Sequence, residues 1–216
     1  MIKKDLRKRI FTSLVLLFLI FLIVSFSTVL VFCLIVLGVM SIIEFLSITK
    51  KIYKNKLYFL ISNTIFAAFI FVFCFIFFFF SNFIHLKVIL FILLIGCVAS
   101  DIGGFIFGKI FKGPKLTKIS PNKTYSGALG SILFTSLTMI ALVFNFTNDF
   151  NYLILILAIL TSISCQIGDL FFSFLKRKAK IKDTGNIFPG HGGVLDRLDG
   201  IFFGLPIGFT TLVLFY

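Results

Sequence analysis

The sequence has few charged residues, and this scarcity excludes most kinds of soluble protein. Only 13% of its 216 residues are charged, 59% are hydrophobic, and the mean hydropathy is +1.14. A soluble domain usually contains about 25% charged residues, so a soluble enzyme is excluded. The apolar runs also lack the alternation of apolar and polar residues that is typical of membrane β-strands. We therefore predict an all-α, polytopic integral membrane protein.

Cysteine is also scarce, and its placement excludes the usual cysteine chemistry. Cys33, Cys74, Cys97 and Cys165 all lie in apolar runs, and no C-x-x-C pair occurs. Small packing residues are therefore a better interpretation than disulfides or zinc ligands.

Basic residues outnumber acidic ones by 21 to 8, which gives a formal net charge of +13. Apart from Lys87, they lie in four bursts, at residues 3–9, 50–56, 109–123 and 176–197, which alternate with loops almost free of lysine and arginine. This alternation is typical of the positive-inside rule and not of a nucleic-acid-binding surface. We therefore expect a cytoplasmic N-terminus, cytoplasmic basic loops and no nucleic-acid partner.

The apolar run of residues 10–43 is too long for one ordinary crossing, because a single helix of that length would measure about 51 Å. The polar cluster of Ser25, Ser27 and Thr28 indicates a turn, with a first span from near Leu6 and a second ending near Ser47. The other predicted spans cover about 57–80, 86–108, 127–147, 151–175 and 199–216. We predict about seven spans, within a range of six to nine, in a single domain of residues 1–216.

Acidic residues are rare enough to be considered individually. Asp5, Glu44 and Asp149 lie at predicted span ends or tails, where we expect them only to tune topology or solvation. The other five lie in or beside spans near the basic loops, namely Asp101, Asp169, Asp183, Asp196 and Asp199. A carboxylate inside a span is costly unless it faces a polar cavity, a partner or a cation, so it marks a candidate functional site.

Asp169, Asp196 and Asp199 form the predicted metal site. Asp196 and Asp199 are three residues apart and share one helical face. Close carboxylates repel one another, and a hard divalent cation relieves that repulsion. Oxygen ligands without cysteine or clustered histidine favour magnesium over zinc, with a second cation possible. The alternative is that each aspartate pairs with a lysine or arginine of a flanking loop.

Two loops have features of phosphate binding. Residues 109–123 contain five lysines and lead through Ser120-Pro121 towards a helix whose N-terminal amides suit an anion, although a plain basic loop is the alternative. The segment Phe188-Pro-Gly-His-Gly-Gly193 places three glycines around His191, so its backbone can approach a ligand closely. It does not match the G-x-x-x-x-G-K-[ST] loop, so a Walker-type nucleotide hydrolase is not indicated.

Four segments near the C-terminus form one composite motif, namely Ser173-Phe-Leu-Lys-Arg177, Lys182-Asp-Thr-Gly185, Phe188-Pro-Gly-His-Gly-Gly-Val194 and Asp196-Arg-Leu-Asp199. This motif resembles the signature of the phosphatidate cytidylyltransferases, also called CDP-diacylglycerol synthases. Segments at residues 101–109, 119–127 and 164–170 are similar to other parts of that family, so the resemblance covers about residues 95–216. The chain differs from the usual family pattern at Asn122, Tyr125, Ser126 and Gly200.

The resemblance implies transfer of the cytidylyl group from CTP to phosphatidic acid, giving CDP-diacylglycerol and pyrophosphate for phospholipid biosynthesis. The implied catalytic residues are Asp169, Asp196, Asp199, Lys182 and His191, with Mg²⁺ held by the three aspartates. The implied substrate-binding residues are Lys109, Ser120, Lys123, Thr124, Lys176, Arg177, Gly192, Gly193 and Arg197, and Asp101 and Asp183 are additional candidates.

Two other functions are compatible with these residues. One is a cytidylyltransferase or kinase that acts on another lipid phosphate, and the other is a secondary transporter of an anionic substrate, which also uses intramembrane acids. The expected partners are CTP, phosphatidic acid and the lipid bilayer, and a homodimer is a possible assembly. The expected location is the bacterial inner membrane, with the active site facing the cytoplasm.

Overall fold

The computed structural model describes residues 18, 21–23, 25–117, 119–148, 151–185 and 192–215. Within these ranges the chain consists of helices and connecting loops, with one isolated β-bridge between Lys115 and Thr124. The predicted all-α class is therefore confirmed.

Seven helices have fully described bounds: α1 (Ser27–Ile52), α2 (Lys56–Ser81), α3 (Ile84–Phe111), α4 (Tyr125–Thr147), α5 (Tyr152–Lys178), α6 (Leu195–Leu198) and α7 (Ile201–Phe215). Six stretches of the described chain are long and apolar enough to cross a membrane, namely α1 to α5 and Leu195–Leu214. The protein is a multi-pass membrane protein, as predicted.

The helices agree with the predicted spans to within a few residues. The spans predicted over 86–108 and 127–147 correspond to α3 and α4. α1 begins at Ser27, inside the predicted turn, because Phe26 has an extended backbone with φ −126° and ψ 115°. Most of the first predicted span, which starts near Leu6, lies outside the described residues, so a seventh span stays a prediction.

The described residues form two compact units that alternate along the chain. Met1–Phe83 and Lys178–Asp196 contribute to the first unit, and Ile84–Arg177 and Arg197–Tyr216 contribute to the second. The chain thus leaves the first unit after α2 and returns to it at the end of α5. The predicted single domain of residues 1–216 stays a prediction.

In the first unit, α1 packs against α2 through aromatic and polar side chains. The rings of Phe45 and Phe66 stack with their centroids 3.9 Å apart. Thr49 Oγ1 lies 3.0 Å from Asn63 Oδ1, so one polar contact joins the same two helices. These contacts fix the C-terminal half of α1, which carries Glu44.

In the second unit, small residues allow α3 and α4 to pack closely. A Cβ built on Gly103 would lie 2.6 Å from the carbonyl oxygen of Gly130, and one built on Gly104 would lie 2.6 Å from Ser131 Oγ. A Cβ on Gly130 would collide with the Phe107 side chain. Such glycine contacts are typical of helix pairs in membranes, where close backbone packing replaces the hydrophobic driving force.

Candidate active site

A polar cavity of about 290 Å³ lies in the second unit, beside the close α3–α4 contact. Helix α3 contributes Asp101, helix α5 contributes Gln166 and Asp169, and the loop before α4 contributes Ser120, Lys123 and Thr124. The structure therefore brings five of the sequence-predicted site residues, Asp101, Asp169, Ser120, Lys123 and Thr124, to one cavity. The cavity combines carboxylate, ammonium and hydroxyl groups inside a membrane-spanning helical unit.

Lys123 and Asp169 form an ion pair in this cavity. Lys123 Nζ lies 3.0 Å from Asp169 Oδ2, and the two side chains are 28% and 21% exposed. The sequence left open that each aspartate pairs with a lysine or arginine of a flanking loop, and Asp169 does form such a pair in the structure. The pair is half-buried and faces the cavity, so its charges are within reach of a polar ligand.

Backbone hydrogen bonds and a helix cap hold the loop before α4, which carries Lys123. The Lys123 amide donates to the Ser120 carbonyl at 3.1 Å, and the Leu116 amide donates to the Lys123 carbonyl at 2.7 Å. Thr124 is the N-cap of α4, and its side chain accepts a hydrogen bond from the Gly127 amide at 3.1 Å. The predicted Ser120-Pro121 turn therefore ends in a capped helix start.

Asp199 lies next to Asp169 in the second unit. Lys176 Nζ is 3.8 Å from Asp199 Oδ2, and Asp199 Oδ1 accepts a hydrogen bond from the Gly200 amide at 3.0 Å. A Cβ built on Gly200 would lie 2.9 Å from Asp169 Oδ1, so the two aspartates flank this glycine. The lack of a side chain at Gly200 therefore allows the Asp169 carboxylate to approach the backbone closely.

The other predicted basic residues of the second unit lie at helix ends and are exposed. Lys109 is in the last turn of α3, with its Nζ 5.7 Å from the centroid of the Phe105 ring. Arg177 lies near the end of α5, and Arg197 lies in α6. Their exposure suits contact with a polar or anionic group.

The first unit contains a second set of predicted residues, in the chain that follows α5. Asp196 Oδ2 accepts hydrogen bonds from the Thr184 amide at 2.8 Å and from the Gly193 amide at 3.1 Å. Gly192 has φ +83°, a conformation that favours glycine. Lys182 and Asp183 are exposed in the same stretch.

The interpretation of Glu44 as a residue that only tunes topology was wrong. Its side chain is buried, with 4% exposure, and it accepts hydrogen bonds from Thr184 Oγ1 and from the amides of Val194 and Leu195. The missed signal was available, because Glu44 is the single acid between residues 6 and 100 and lies in an apolar run. An acid in that position deserves the same functional hypothesis as Asp169.

Gln166 also lines the cavity, although it was not among the predicted site residues. Its Nε2 donates to the Ala128 carbonyl at 3.2 Å, which joins α5 to α4 beside the cavity. A polar side chain in an apolar span was the available signal.

Several predictions fall on residues that the structure does not describe or concern arrangements that it does not assemble. His191, Asp5 and Asp149 lie outside the described residues. Within the described ranges, no group of three or more His, Cys, Asp and Glu side chains could hold a metal ion. The magnesium site of Asp169, Asp196 and Asp199 therefore stays a prediction.

The fold and the cavity define a polytopic α-helical membrane protein with a charged polar site among its spans. The chain belongs to the cytidylyltransferase family, whose family model matches residues 3–215.

Three relatives named phosphatidate cytidylyltransferase illustrate the similarity. The chain is 44% identical to the protein of Helicobacter pylori over 124 residues, and this aligned region covers 57% of the chain and 46% of the relative. It is 43% identical to the protein of Rickettsia felis over 136 residues, which are 57% of the chain and 59% of the relative. For that of Mycobacterium leprae the identity is 39% over 126 residues, covering 57% and 40%. The chain thus spans about half the length of the curated relatives it matches.

Proposed function

We propose that this protein transfers the cytidylyl group of CTP to phosphatidic acid and releases pyrophosphate. The observation that carries the proposal is the Lys123–Asp169 pair, which faces a polar cavity inside a membrane protein of the cytidylyltransferase family. The relatives named phosphatidate cytidylyltransferase support phosphatidic acid as the lipid substrate. A lipid phosphate reaches such a site from the bilayer, and the nucleotide reaches it from water.

In this reaction an oxygen of the phosphatidic acid phosphate attacks the α-phosphorus of CTP. A new phosphorus–oxygen bond forms, the bond from the α-phosphorus to the oxygen that bridges to the β-phosphorus breaks, and pyrophosphate leaves with that electron pair. The lipid phosphate is itself the nucleophile, so no side-chain nucleophile is required. The main requirement is positive charge near the phosphates, because negative charge concentrates as they approach.

Lys123 is the residue best placed to supply that charge from the cavity. In the structure its ammonium group is paired with Asp169, and a bound phosphate would compete with the carboxylate for it. The hydroxyl groups of Ser120 and Thr124 line the same cavity and can donate to phosphate oxygens. Lys109, Arg177 and Arg197 are exposed and would neutralise phosphates that extend out of the cavity.

The donor set of the second unit fits a magnesium ion in its chemistry. Asp169 and Asp199 are neighbouring carboxylates, and the residues lining the cavity include no cysteine or histidine. Oxygen-only donors suit Mg²⁺, so we propose that Asp169 and Asp199 would hold it. The bound ion would withdraw negative charge from the phosphate oxygens. Asp196 is the third proposed ligand, and a second cation is compatible with the same donor type.

We place the protein in the bacterial inner membrane, with the active site at the cytoplasmic face. The connections α1–α2 and α3–α4 and the chain after α5 carry lysine, whereas the described residues of the connections α2–α3 and α4–α5 carry no lysine or arginine. This alternation agrees with the positive-inside rule. Asp169 and Lys123 lie near lysine-bearing ends of the second unit, which suits access from the cytoplasm.

The decisive experiment uses purified protein in lipid–detergent micelles with Mg²⁺, phosphatidic acid and CTP labelled at either the α- or the γ-phosphate. We expect the α label to appear in CDP-diacylglycerol and the γ label to appear in pyrophosphate. A lipid kinase would instead move the γ label into the lipid. Reaction with an isoprenoid phosphate but not with phosphatidic acid would assign a different lipid substrate, and no transfer of the α label to any lipid phosphate would contradict the proposal.

A further inference from the structure

We propose that Glu44 is a positioning residue for this reaction, acting through Thr184 and the backbone of residues 193–195 to hold the segment that carries Asp196. Its catalytic consequence rests on the proposed function. All of the contacts that support it lie within the first unit, and none of them involves the cavity described above.

The Glu44 carboxylate is the acceptor for three donors of one segment. Its Oε1 accepts from the Val194 amide at 2.9 Å, and its Oε2 accepts from the Leu195 amide at 2.9 Å and from Thr184 Oγ1 at 2.6 Å. Leu195 begins the short helix α6 and Val194 directly precedes it, and the first amides of a helix have no acceptor within the helix. A side chain of α1 therefore supplies the missing acceptor, and both ends of the segment are fixed to that helix.

Two glycines of the segment lie directly against the Glu44 carboxylate. A Cβ built on Gly193 would collide with Thr184 Oγ1 and Glu44 Oε2, and one built on Gly185 would lie 2.8 Å from Glu44 Oε1. These glycines therefore allow the backbone to approach a buried side chain. Gly193 was predicted to approach a substrate phosphate, and its contacts with Glu44 offer a second reason for a glycine there.

The Thr184 hydroxyl connects Glu44 to Asp196. Thr184 Oγ1 lies 2.6 Å from Glu44 Oε2 and 3.0 Å from Asp196 Oδ2, but a hydroxyl has one proton to donate. The shorter distance assigns that proton to Glu44. Asp196 Oδ2 then keeps the amides of Thr184 and Gly193 as its donors. Glu44 thus sets the direction of the hydroxyl and, through it, the surroundings of the Asp196 carboxylate.

Substitution Glu44→Gln tests this arrangement with little change in shape. Glutamine has one acceptor oxygen in place of two, so at least one of the Val194 and Leu195 amides loses its partner. Its NH₂ group can donate to Thr184 Oγ1, which turns the hydroxyl proton towards Asp196. Thr184→Val removes the hydroxyl in a side chain of similar shape, and Thr184→Ser keeps it. Ser41→Ala is the matched control, because Ser41 is buried on the same helix and donates to the Leu37 carbonyl of that helix at 2.7 Å.

The experiment measures two quantities on each purified variant: amide hydrogen exchange of residues 192–196, and kcat and KM with CTP and phosphatidic acid. For Glu44→Gln we expect exchange of the Val194 or Leu195 amide to accelerate by about tenfold or more. We expect kcat to fall by about tenfold or more with the KM for CTP within about twofold, since the geometry of the reacting groups changes more than nucleotide binding. Thr184→Val should lower kcat in the same way, Thr184→Ser should restore most of it, and Ser41→Ala should match the wild type in both measurements.

A double variant separates positioning from general destabilisation. If Glu44 acts through Thr184, then Glu44→Gln with Thr184→Val should lower kcat by less than the product of the two single effects. The inference is overturned if Glu44→Gln keeps wild-type exchange and kcat, if the two losses multiply, or if only KM changes. If Glu44→Gln does not fold, the Thr184→Val and Thr184→Ser pair decides alone, and equal wild-type values for both would also overturn it.

The two proposals fail in different ways. Absence of label transfer by the wild-type protein would reject the proposed function, and the catalytic role of Glu44 with it. A wild-type protein that transfers label, with Glu44→Gln unchanged in kcat and exchange, would reject the Glu44 inference alone.

Discussion

At the scale of single residues, the aspartates of the second unit show how charge is kept inside membrane-spanning helices. Asp169 and Asp199 each have a lysine within 4 Å, at 3.0 and 3.8 Å. Each lysine compensates a carboxylate charge that would otherwise be costly in a membrane-spanning unit. The same lysines are suited to phosphate, so pairing in the free protein and binding in the loaded protein are compatible uses of one set of charges.

We expect Asp169→Asn and Asp199→Asn each to insert and fold but to keep less than about a tenth of the wild-type rate, a loss above about 1.4 kcal/mol in the barrier. The carboxamide keeps the shape and removes the charge that a cation would need. Initial rates of α-label transfer at saturating CTP provide the measurement. Lys54→Gln, which also removes one charge but at an exposed position of the α1–α2 connection outside the site, is the control and should keep the wild-type rate. If both Asp169→Asn and Asp199→Asn keep more than about a tenth of the wild-type rate, the two aspartates are not essential metal ligands.

Gly192 provides a test of backbone conformation. Its φ of +83° disfavours residues with a Cβ, and a Cβ there would lie 2.9 Å from Asp196 Oδ2. We expect Gly192→Val to lower both activity and thermal stability, and Gly192→Asn to be milder, because asparagine visits left-handed conformations more readily. Comparing kcat and the unfolding temperature of the two variants checks this. Equal, wild-type behaviour of both would show that the turn adapts to a side chain.

At the scale of helices, the close contact of α3 and α4 positions the cavity. Gly103 of α3 and Gly130 of α4 lie against each other at this contact. Ser131 Oγ of α4 donates a hydrogen bond to the Ser100 carbonyl of α3 at 2.8 Å. Asp101 lies on α3, and Lys123 lies just before α4. A wider helix pair would therefore change the distance between the residues that line the cavity.

We expect Gly130→Ala to lower the unfolding temperature, because its Cβ would collide with Phe107. Gly38→Ala, in α1, is the matched control: its Cβ would lie 3.3 Å from a methyl group of Ile70, and alanine has the same advantage in helix propensity at both positions. A thiol-reactive fluorophore can follow unfolding, since Cys97 and Cys165 are buried. An equal or higher unfolding temperature for Gly130→Ala would show that the two helices separate without cost.

The helices could be predicted from the sequence, whereas the contacts between distant segments could not. The spans follow from apolar runs whose length matches the bilayer, and Ser27, Lys56 and Tyr125 lie close to the predicted starts. Asp169 could be predicted as a site residue because a carboxylate in a span is costly. Its partner Lys123 was one of five lysines in the loop at residues 109–123, and sequence periodicity does not select among them.

Glu44 shows the same limit more clearly. Its donors Val194 and Leu195 lie 150 and 151 residues away in the sequence. Local pattern rules describe which face of α1 is apolar, but they do not say which later segment returns to that helix. A rule that treats every intramembrane acid as functional would have selected Glu44 without identifying its partners.

At the scale of the whole molecule, the distribution of basic residues and the order of the two units fit one membrane orientation. The first unit is formed by two separate stretches of the sequence, Met1–Phe83 and Lys178–Asp196. Both the α1–α2 connection and the chain after α5 carry lysines, and an even number of spans separates them in the helix order. These two connections therefore lie on the same side of the membrane if each of α2 to α5 crosses once.

Site-directed labelling tests that orientation. In a background without native cysteines, single cysteines at Lys54 and Lys115 should react with a membrane-impermeant thiol reagent only after the membrane is opened, because both positions belong to the lysine-bearing connections. Cysteines at Asn82 and Asn148, in the connections α2–α3 and α4–α5, should react in intact spheroplasts. Retained label transfer by each variant is the control for native folding. Reaction of Lys115→Cys and Asn148→Cys from the same side would mean that α4 does not cross the membrane. The Lys123–Asp169 cavity would then lie among a different set of spans.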